Sequence, residues 1–274
     1  MTYPLGVKGT KYDSRTLKLM TVLKALPEIP PSFDVDSQYA YTLPTPMFAN
    51  DRYGDCVIAA RAHQTLRFES FEQKKLISIS DKNVTDEYFS ESGGSDSGLY
   101  LLDSLKCWRT NGWRIGASQI IKTHGCWRKK KPTPPVPPAP PVPSNVYNIY
   151  AFGAIEPKHH DDVKAVAYLL NGVYVGVALP NTAKSQVIWS VEGNPDKDEN
   201  SKRGSWGNHC IYICSYDAEG LTCVTWGARK RMTWQWFDTY CFDAFGVVDN
   251  RNVFTLDSPV DVGKLDQYLK EVQS

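Results

Sequence analysis

The chain has 274 residues, a net formal charge of +1 and 42% hydrophobic residues, enough apolar surface to build one large domain or two packed lobes. This near-neutral balance gives no reason to expect nucleic acid or an anionic membrane surface as a partner. No run approaches the roughly 20 apolar residues that span a bilayer, and Met1-Thr2-Tyr3-Pro4-Leu5-Gly6 lacks the basic and apolar stretches of a secretory signal.

In chain order, Asp13 to Leu26 carries Leu17, Met20, Leu23 and Leu26 at near-helical spacing, which predicts a short helix. Pro27-Glu28-Ile29-Pro30-Pro31 then forms an extended arm, since proline cannot continue a helix. The clearest helix runs from Asp55 to about Phe71, with Asp55 as N-cap and Ala59, Ala60, His63, Leu66 and Phe68 on an apolar stripe. A further helix is predicted over Leu99 to Arg109, entered from the loop Ser92 to Gly98 and closed near Asn111-Gly112. The basic run Arg128 to Lys131 leads into Pro132 to Pro143, with eight prolines in twelve residues. Such composition favours polyproline II, and the segment reads as a surface spacer between lobes; a docking site for a proline-recognising protein partner is the alternative.

Beyond it, Asp161 to Leu170 reads as a helix, with His159 and His160 at its start rather than as a metal cluster, and Val173 to Leu179 reads as a strand. His209 to Tyr216 is expected to pair with Leu221 to Trp226 across Asp217 to Gly220, placing Ile213 opposite Val224. Thr233 to Asp249 looks strand-rich, and Asp261 to Val272 looks like a closing helix. Helices first and strands later predict an α+β protein. The divisions are an N-terminal arm (1–31), a helical lobe (32–128), a basic and proline-rich linker (129–146), a β lobe (147–257) and a C-terminal helix (258–274). Seven cysteines without framework spacing suit a reducing, cytoplasmic setting. No cofactor and no metal are expected.

The chemistry centres on Cys56. A nucleophilic thiol must ionise, and a helix N-terminus favours the thiolate. Its candidate base is His209, opening a strand after Gly204-Ser205-Trp206-Gly207-Asn208, whose glycines and serine leave room beside the imidazole. Asn50 is a candidate oxyanion donor beside the Cys56 N–H. His63, seven residues after Cys56, lies about 10 Å along the helix and is too far to serve.

Asn50 through Cys56 resembles the oxyanion and nucleophile segment of papain-like cysteine peptidases, with Asn in place of Gln. Ser32 to Asp36 is similar to the start of that family's mature chain, and Asp161-Asp162-Val163 through Val173 to Val177 is similar to the helix and strand before its histidine. His209 through Asp217 resembles the histidine strand, and Thr225-Trp226-Gly227 resembles its Asn-Ser-Trp-Gly segment. The resemblance covers roughly residues 30 to 250. It implies a two-lobed papain-like fold, a helical lobe followed by an antiparallel β lobe, and cysteine-dependent hydrolysis of peptide or isopeptide bonds in a peptide or protein substrate. The family's histidine-orienting Asn is absent: one alignment puts Val224 there and the other Thr225, which needs a bulge to face His209. Trp226 either shields His209 or sits in the core. The alternatives are an inactive papain-like binding or structural module, for example in a viral assembly, and acyl transfer to an amine by the same Cys-His dyad. Residues 1–31 are either an inhibitory arm or a packed extension.

Overall fold

The computed structural model describes residues 3–24, 28–39, 42–72, 76–115, 146–249 and 258–273. A short strand β1 (Phe33–Asp34) precedes the helices α1 (Cys56–Glu72), α2 (Asp81–Glu91) and α3 (Leu101–Asn111). Strands β2 (Trp113–Arg114) and β3 (Val146–Tyr147) form a ribbon of their own. There follow β4 (Ala151–Ala154), α4 (His160–Leu169), β5 (Val173–Leu179), β6 (Ile188–Trp189), β7 (Gly207–Tyr216), β8 (Gly220–Thr225) and β9 (Ala228–Thr233). The helix α5 (Trp234–Tyr240), the strand β10 (Cys241–Val248) and the helix α6 (Val262–Gln273) complete the order. The proline-rich tract and the basic run before it lie outside the described residues.

The main sheet runs β4-β10-β5-β7-β8-β9-β6, with β1 beside β7. Its pairings are antiparallel except β6 with β9. Strand alternation divides the interior in two. Val173, Val175 and Val177 of β5 and Ile211 and Ile213 of β7 enter a core shared with α4 and α5. Tyr174, Cys210, Tyr212 and Cys214 enter the other, against α1, α2 and α3. The result is the expected α+β arrangement of a helical lobe followed by a β lobe.

Helix α1 is buried on nearly every face, not along one stripe. Arg61, His63, Gln64, Thr65 and Arg67 are as buried as Ala59, Ala60 and Leu66. Two buried guanidinium groups need partners, because an unpaired charge in the interior is strongly unfavourable. Arg61 donates to Glu91 at 2.6 Å, to Glu87 at 3.0 Å and to the Ser104 carbonyl at 2.8 Å. Arg67 forms a bidentate pair with Asp36 at 2.7 and 2.9 Å. These pairs hold α1 to α2, α3 and the turn after β1.

Two expectations need correction, and one helix had no expectation behind it. The segment 13–24 is extended apart from a 3-10 turn at Leu19–Thr21, because tertiary pairing claims its backbone: Ala154 N donates to Leu17 O at 2.7 Å, and Leu23 bridges Val260. Its apolar residues Leu17, Leu19, Val22 and Leu23 are still buried. The run after Thr233 begins as helix α5, capped by the Thr233 hydroxyl accepting from Trp236 N at 3.1 Å, and becomes strand only at Cys241. Helix α2 was not expected, although Ser80 and Asn83 form a capping box.

Arg61→Met should destabilise the protein by about 3–5 kcal/mol, since Glu91 would stay buried without its cation. Lys82→Met, which breaks the exposed pair with Asp86, should cost no more than about 0.5 kcal/mol. Urea unfolding of both variants beside the parent measures the difference.

Candidate active site

The Asp55 carbonyl accepts from Ile58 N at 2.8 Å and Ala59 N at 2.9 Å, so α1 begins at Cys56. The Tyr174 hydroxyl of β5 donates to Val57 O at 2.6 Å and ties this first turn to the sheet. Burial pushes the Cys56 thiol up to about 12, although backbone N–H groups of Cys210, Gly6 and Val57 pull the other way. At 1% exposure the thiol is sealed from water. The Cys210 amide that faces it belongs to the residue after His209.

His209 lies in β7 opposite Val177 of β5 and is fully buried. Its Nε2 is 2.7 Å from Thr225 Oγ1. With Thr225 accepting, Nε2 carries the proton and Nδ1 keeps its lone pair. That Nδ1 has no hydrogen-bond partner, and Cys56 and His209 are not hydrogen-bonded to each other. Burial alone drives the imidazole pKa down to about 3. Thr225 reaches the histidine through a register shift between Ile213 and Ser215, which puts Val224 opposite Tyr212 and not opposite Ile213. The simple hairpin expected from the sequence is thereby corrected: the shift turns Thr225 onto the face of His209 and Val224 into the other core.

Trp226 stacks on His209 with ring centroids 4.1 Å apart and planes 14° apart. Trp226 and Gly227 have φ of 44° and 72°, the paired positive values of a type I′ turn joining β8 to β9. Trp206 and Tyr3 also stack on Trp226, at 5.2 and 4.9 Å.

Asn50 is buried, but its side chain turns back into its own loop. Nδ2 donates to Asp55 Oδ1 at 2.9 Å and contacts Tyr53 O at 3.4 Å. Asp55 therefore receives the Asn50 amide, instead of capping α1 with its carboxyl as the sequence suggested. Nearby, Asp96 Oδ1 accepts from Gly54 N at 3.0 Å and from the Tyr88 hydroxyl at 2.6 Å, fixing the turn before Cys56. Gly98 and Leu99, read only as a loop and a helix start, stand against residues 6–8.

Residues 3–11 lie across this site. Gly6 O accepts from Leu99 N at 2.7 Å and Lys8 N donates to Leu99 O at 3.0 Å, while Val7 N faces Asn208 O at 3.4 Å. The segment thus bonds to the helical lobe on one side and to the residue before His209 on the other. A Cβ on Gly6 would stand 1.5 Å from Gly54 O, and one on Gly98 would stand 2.4 Å from Gly6 O, so only glycines allow this approach. Lys11 closes the strap with Asp103 at 2.7 Å. Of the other histidines among the described residues, His63 packs on Phe48, and His160, beside His159, pairs with Asp238 at 2.7 Å at the start of α4.

No family model matches the chain, and no curated protein matches it in sequence. Solved structures match it in shape. Xylellain, a cysteine protease from Xylella fastidiosa, superposes with a TM-score of 0.63 at 15% identity, over 90% of this chain and 97% of that one. The Carica candamarcensis cysteine protease CMS1MS2 gives 0.53 at 14% identity, over 81% and 100%. Procathepsin B S9 from Trypanosoma congolense gives 0.53 at 12% identity, over 88% and 86%. The chain has the papain-like fold, with Cys56 at a helix start in its helical lobe and His209 on a strand of its antiparallel β lobe.

Proposed function

We propose that the chain is a cysteine-dependent hydrolase of peptide or isopeptide bonds, held at rest by its own residues 3–11. The observation that carries this reading is the state of His209: Nε2 is bonded to Thr225 while Nδ1 stays unpartnered on the ring stacked under Trp226. A base so oriented is ready to accept one proton. Nδ1 takes the Cys56 proton, and the thiolate attacks the substrate carbonyl. The oxyanion is held by the Cys56 N–H and the Asn50 amide, and its collapse expels the amine, which leaves with the proton from His209. Water, deprotonated by the same imidazole, then releases the acid and restores the thiol. Thr225 serves as the orienter, so the site is a Cys-His-Thr arrangement. The groove occupied by residues 3–11 is where a peptide substrate lies.

A second reading, an inactive papain-like module, is favoured by the missing Cys56–His209 hydrogen bond and by a thiol and an imidazole both neutral at pH 7. The two readings differ in what happens when the strap leaves. Rehydration lowers the thiol pKa and raises that of the imidazole, which brings the two together.

Gly6→Ala places a methyl against the Gly54 carbonyl and should displace the strap. Cys56 in the full-length variant should then alkylate with iodoacetamide well below the ordinary thiol pKa of about 8.5, at least tenfold faster than the parent. His209→Ala in that background should return the rate to an ordinary thiol titration. Equally slow labelling in all three proteins, followed by peptide mapping, would support the inactive module.

Thr225→Val in the Gly6→Ala background should slow alkylation about ten- to hundredfold at pH 6.5, because the base loses its fixed tautomer. Thr225→Asn, which restores an amide acceptor, should keep the rate within a few-fold of the parent.

A further inference from the structure

Phe48 and Ala49, immediately before Asn50, both occupy the left-handed region, with φ of 58° and 63°. Neither is glycine, and each costs on the order of 1–2 kcal/mol in that conformation. Two such residues in succession mean that the surrounding structure holds the loop before Asn50 in a strained conformation. The Asn50 backbone N–H closes a turn on Met47 O at 3.1 Å, and its side-chain amide is gripped by Asp55 at 2.9 Å.

Asp55 is an unusual partner. It is fully buried, it has no ion pair among the described residues, and its second oxygen, Oδ2, has no hydrogen-bond partner. Burial pushes the carboxyl up to about 8, the Asn50 bond opposes this, and the charges of Asp96 and Asp81 add to it. The carboxyl is therefore protonated more readily than an ordinary aspartate.

We propose that Asp55 is a positioning residue that aims the Asn50 amide at the oxyanion site beside Cys56, an inference that rests on the hydrolase reading above. An amide nitrogen has two hydrogens. Asp55 holds one through a short bond and so fixes the amide plane. The other makes only the long contact to Tyr53 O, which is exchanged for a charge-assisted bond when an oxyanion forms. A readily protonated carboxyl also suits this position, one residue before the nucleophile. Protonated, it accepts from Asn50 without setting a negative charge beside a thiolate and an oxyanion.

The test uses two reagents on the full-length Gly6→Ala protein at pH 6.5. Iodoacetamide alkylates Cys56 by direct displacement, without an oxyanion. p-Nitrophenyl acetate acylates it through a tetrahedral oxyanion and releases p-nitrophenolate. Asp55→Ala and Asn50→Ala should each slow acylation by about a hundredfold, the low end of the range for loss of a well-placed oxyanion donor. Alkylation should stay within about threefold of the parent, which also reports that the variants fold. The double variant should acylate no more slowly than either single one. Asp55→Asn, whose amide oxygen accepts the same bond, should keep acylation within about threefold. Should Asp55→Ala fail to fold, Asp55→Ser, whose hydroxyl is too short to reach Asn50, is read in its place. Unchanged acylation in Asp55→Ala, or additive losses in the double variant, would overturn the positioning role alone. Slow, ordinary-thiol alkylation in the Gly6→Ala parent would overturn the hydrolase reading and this role with it.

Discussion

The closest packing at the candidate site is backbone against backbone, where Gly6 passes between Gly54 and Gly98. Much of the state of the site depends on that passage. It brings the Gly6 amide to the Cys56 thiol, it lets Gly6 O and Lys8 N bond to Leu99, and it removes water from the nucleophile. The magnitudes then decide between two opposing effects. A charge at a helix terminus gains about 0.3–1 kcal/mol. Moving the Cys56 pKa from 9.0 to about 12 corresponds to about 4 kcal/mol against the thiolate. Desolvation wins, and the helix start that ought to activate the cysteine holds a neutral thiol while the strap is in place.

The candidate site was partly legible in the sequence, and the limits have physical causes. Cys56 and His209 stand at or near the start of strongly patterned elements, which periodicity predicted; their candidate roles came from thiol chemistry and from the resemblance to papain-like peptidases. Thr225 was undecidable because a strand alternates faces at every residue, and a single shift near Cys214 moves Thr225 and Val224 to opposite sides. Nothing in the residues 213–215 marks that shift. Asp55 misled for another reason. An acid just before a helix reads as a cap, and only a tertiary partner five residues upstream diverts its carboxyl. The consecutive positive φ values at Phe48 and Ala49 had no warning in the sequence, since neither residue type favours them.

The fold was more legible than the site. Strand β5 has the bounds that its apolar run predicted, and α1, α3, α4 and α6 begin within two residues of their expected starts. Periodicity understated the burial of α1, because Arg61 and Arg67 count as polar in any pattern yet lie inside, matched by Glu87, Glu91 and Asp36. Aromatic density misled at residues 234–240, where tryptophan and phenylalanine suggested strand and the Thr233 cap decided for helix. In the segment 13–24 the leucine spacing suited a helix, but pairing with Ala154 and Val260 offered the backbone other partners. Local propensity loses wherever a neighbouring element supplies hydrogen bonds to an already buried apolar face.

The turn at Trp226 and Gly227 links fold and site most directly. A bulky residue at a φ of 44° is strained, and asparagine or glycine would make the same turn more easily. The strain has a structural return. The turn ends β8 at Thr225, within 2.7 Å of His209 Nε2, and swings the Trp226 ring onto the imidazole at 4.1 Å. Thr225 and Trp226, the two contacts of the His209 ring, are thus adjacent residues at one turn, and neither belongs to residues 3–11. Were residues 3–11 to withdraw as proposed, Tyr3 would leave Trp226 and Gly6 would leave Cys56, but the histidine would stay bonded to Thr225 and stacked on the indole. On the proposed hydrolase reading, water then reaches both the thiol and the open edge of the imidazole, while Thr225 and Trp226 keep the ring's orientation.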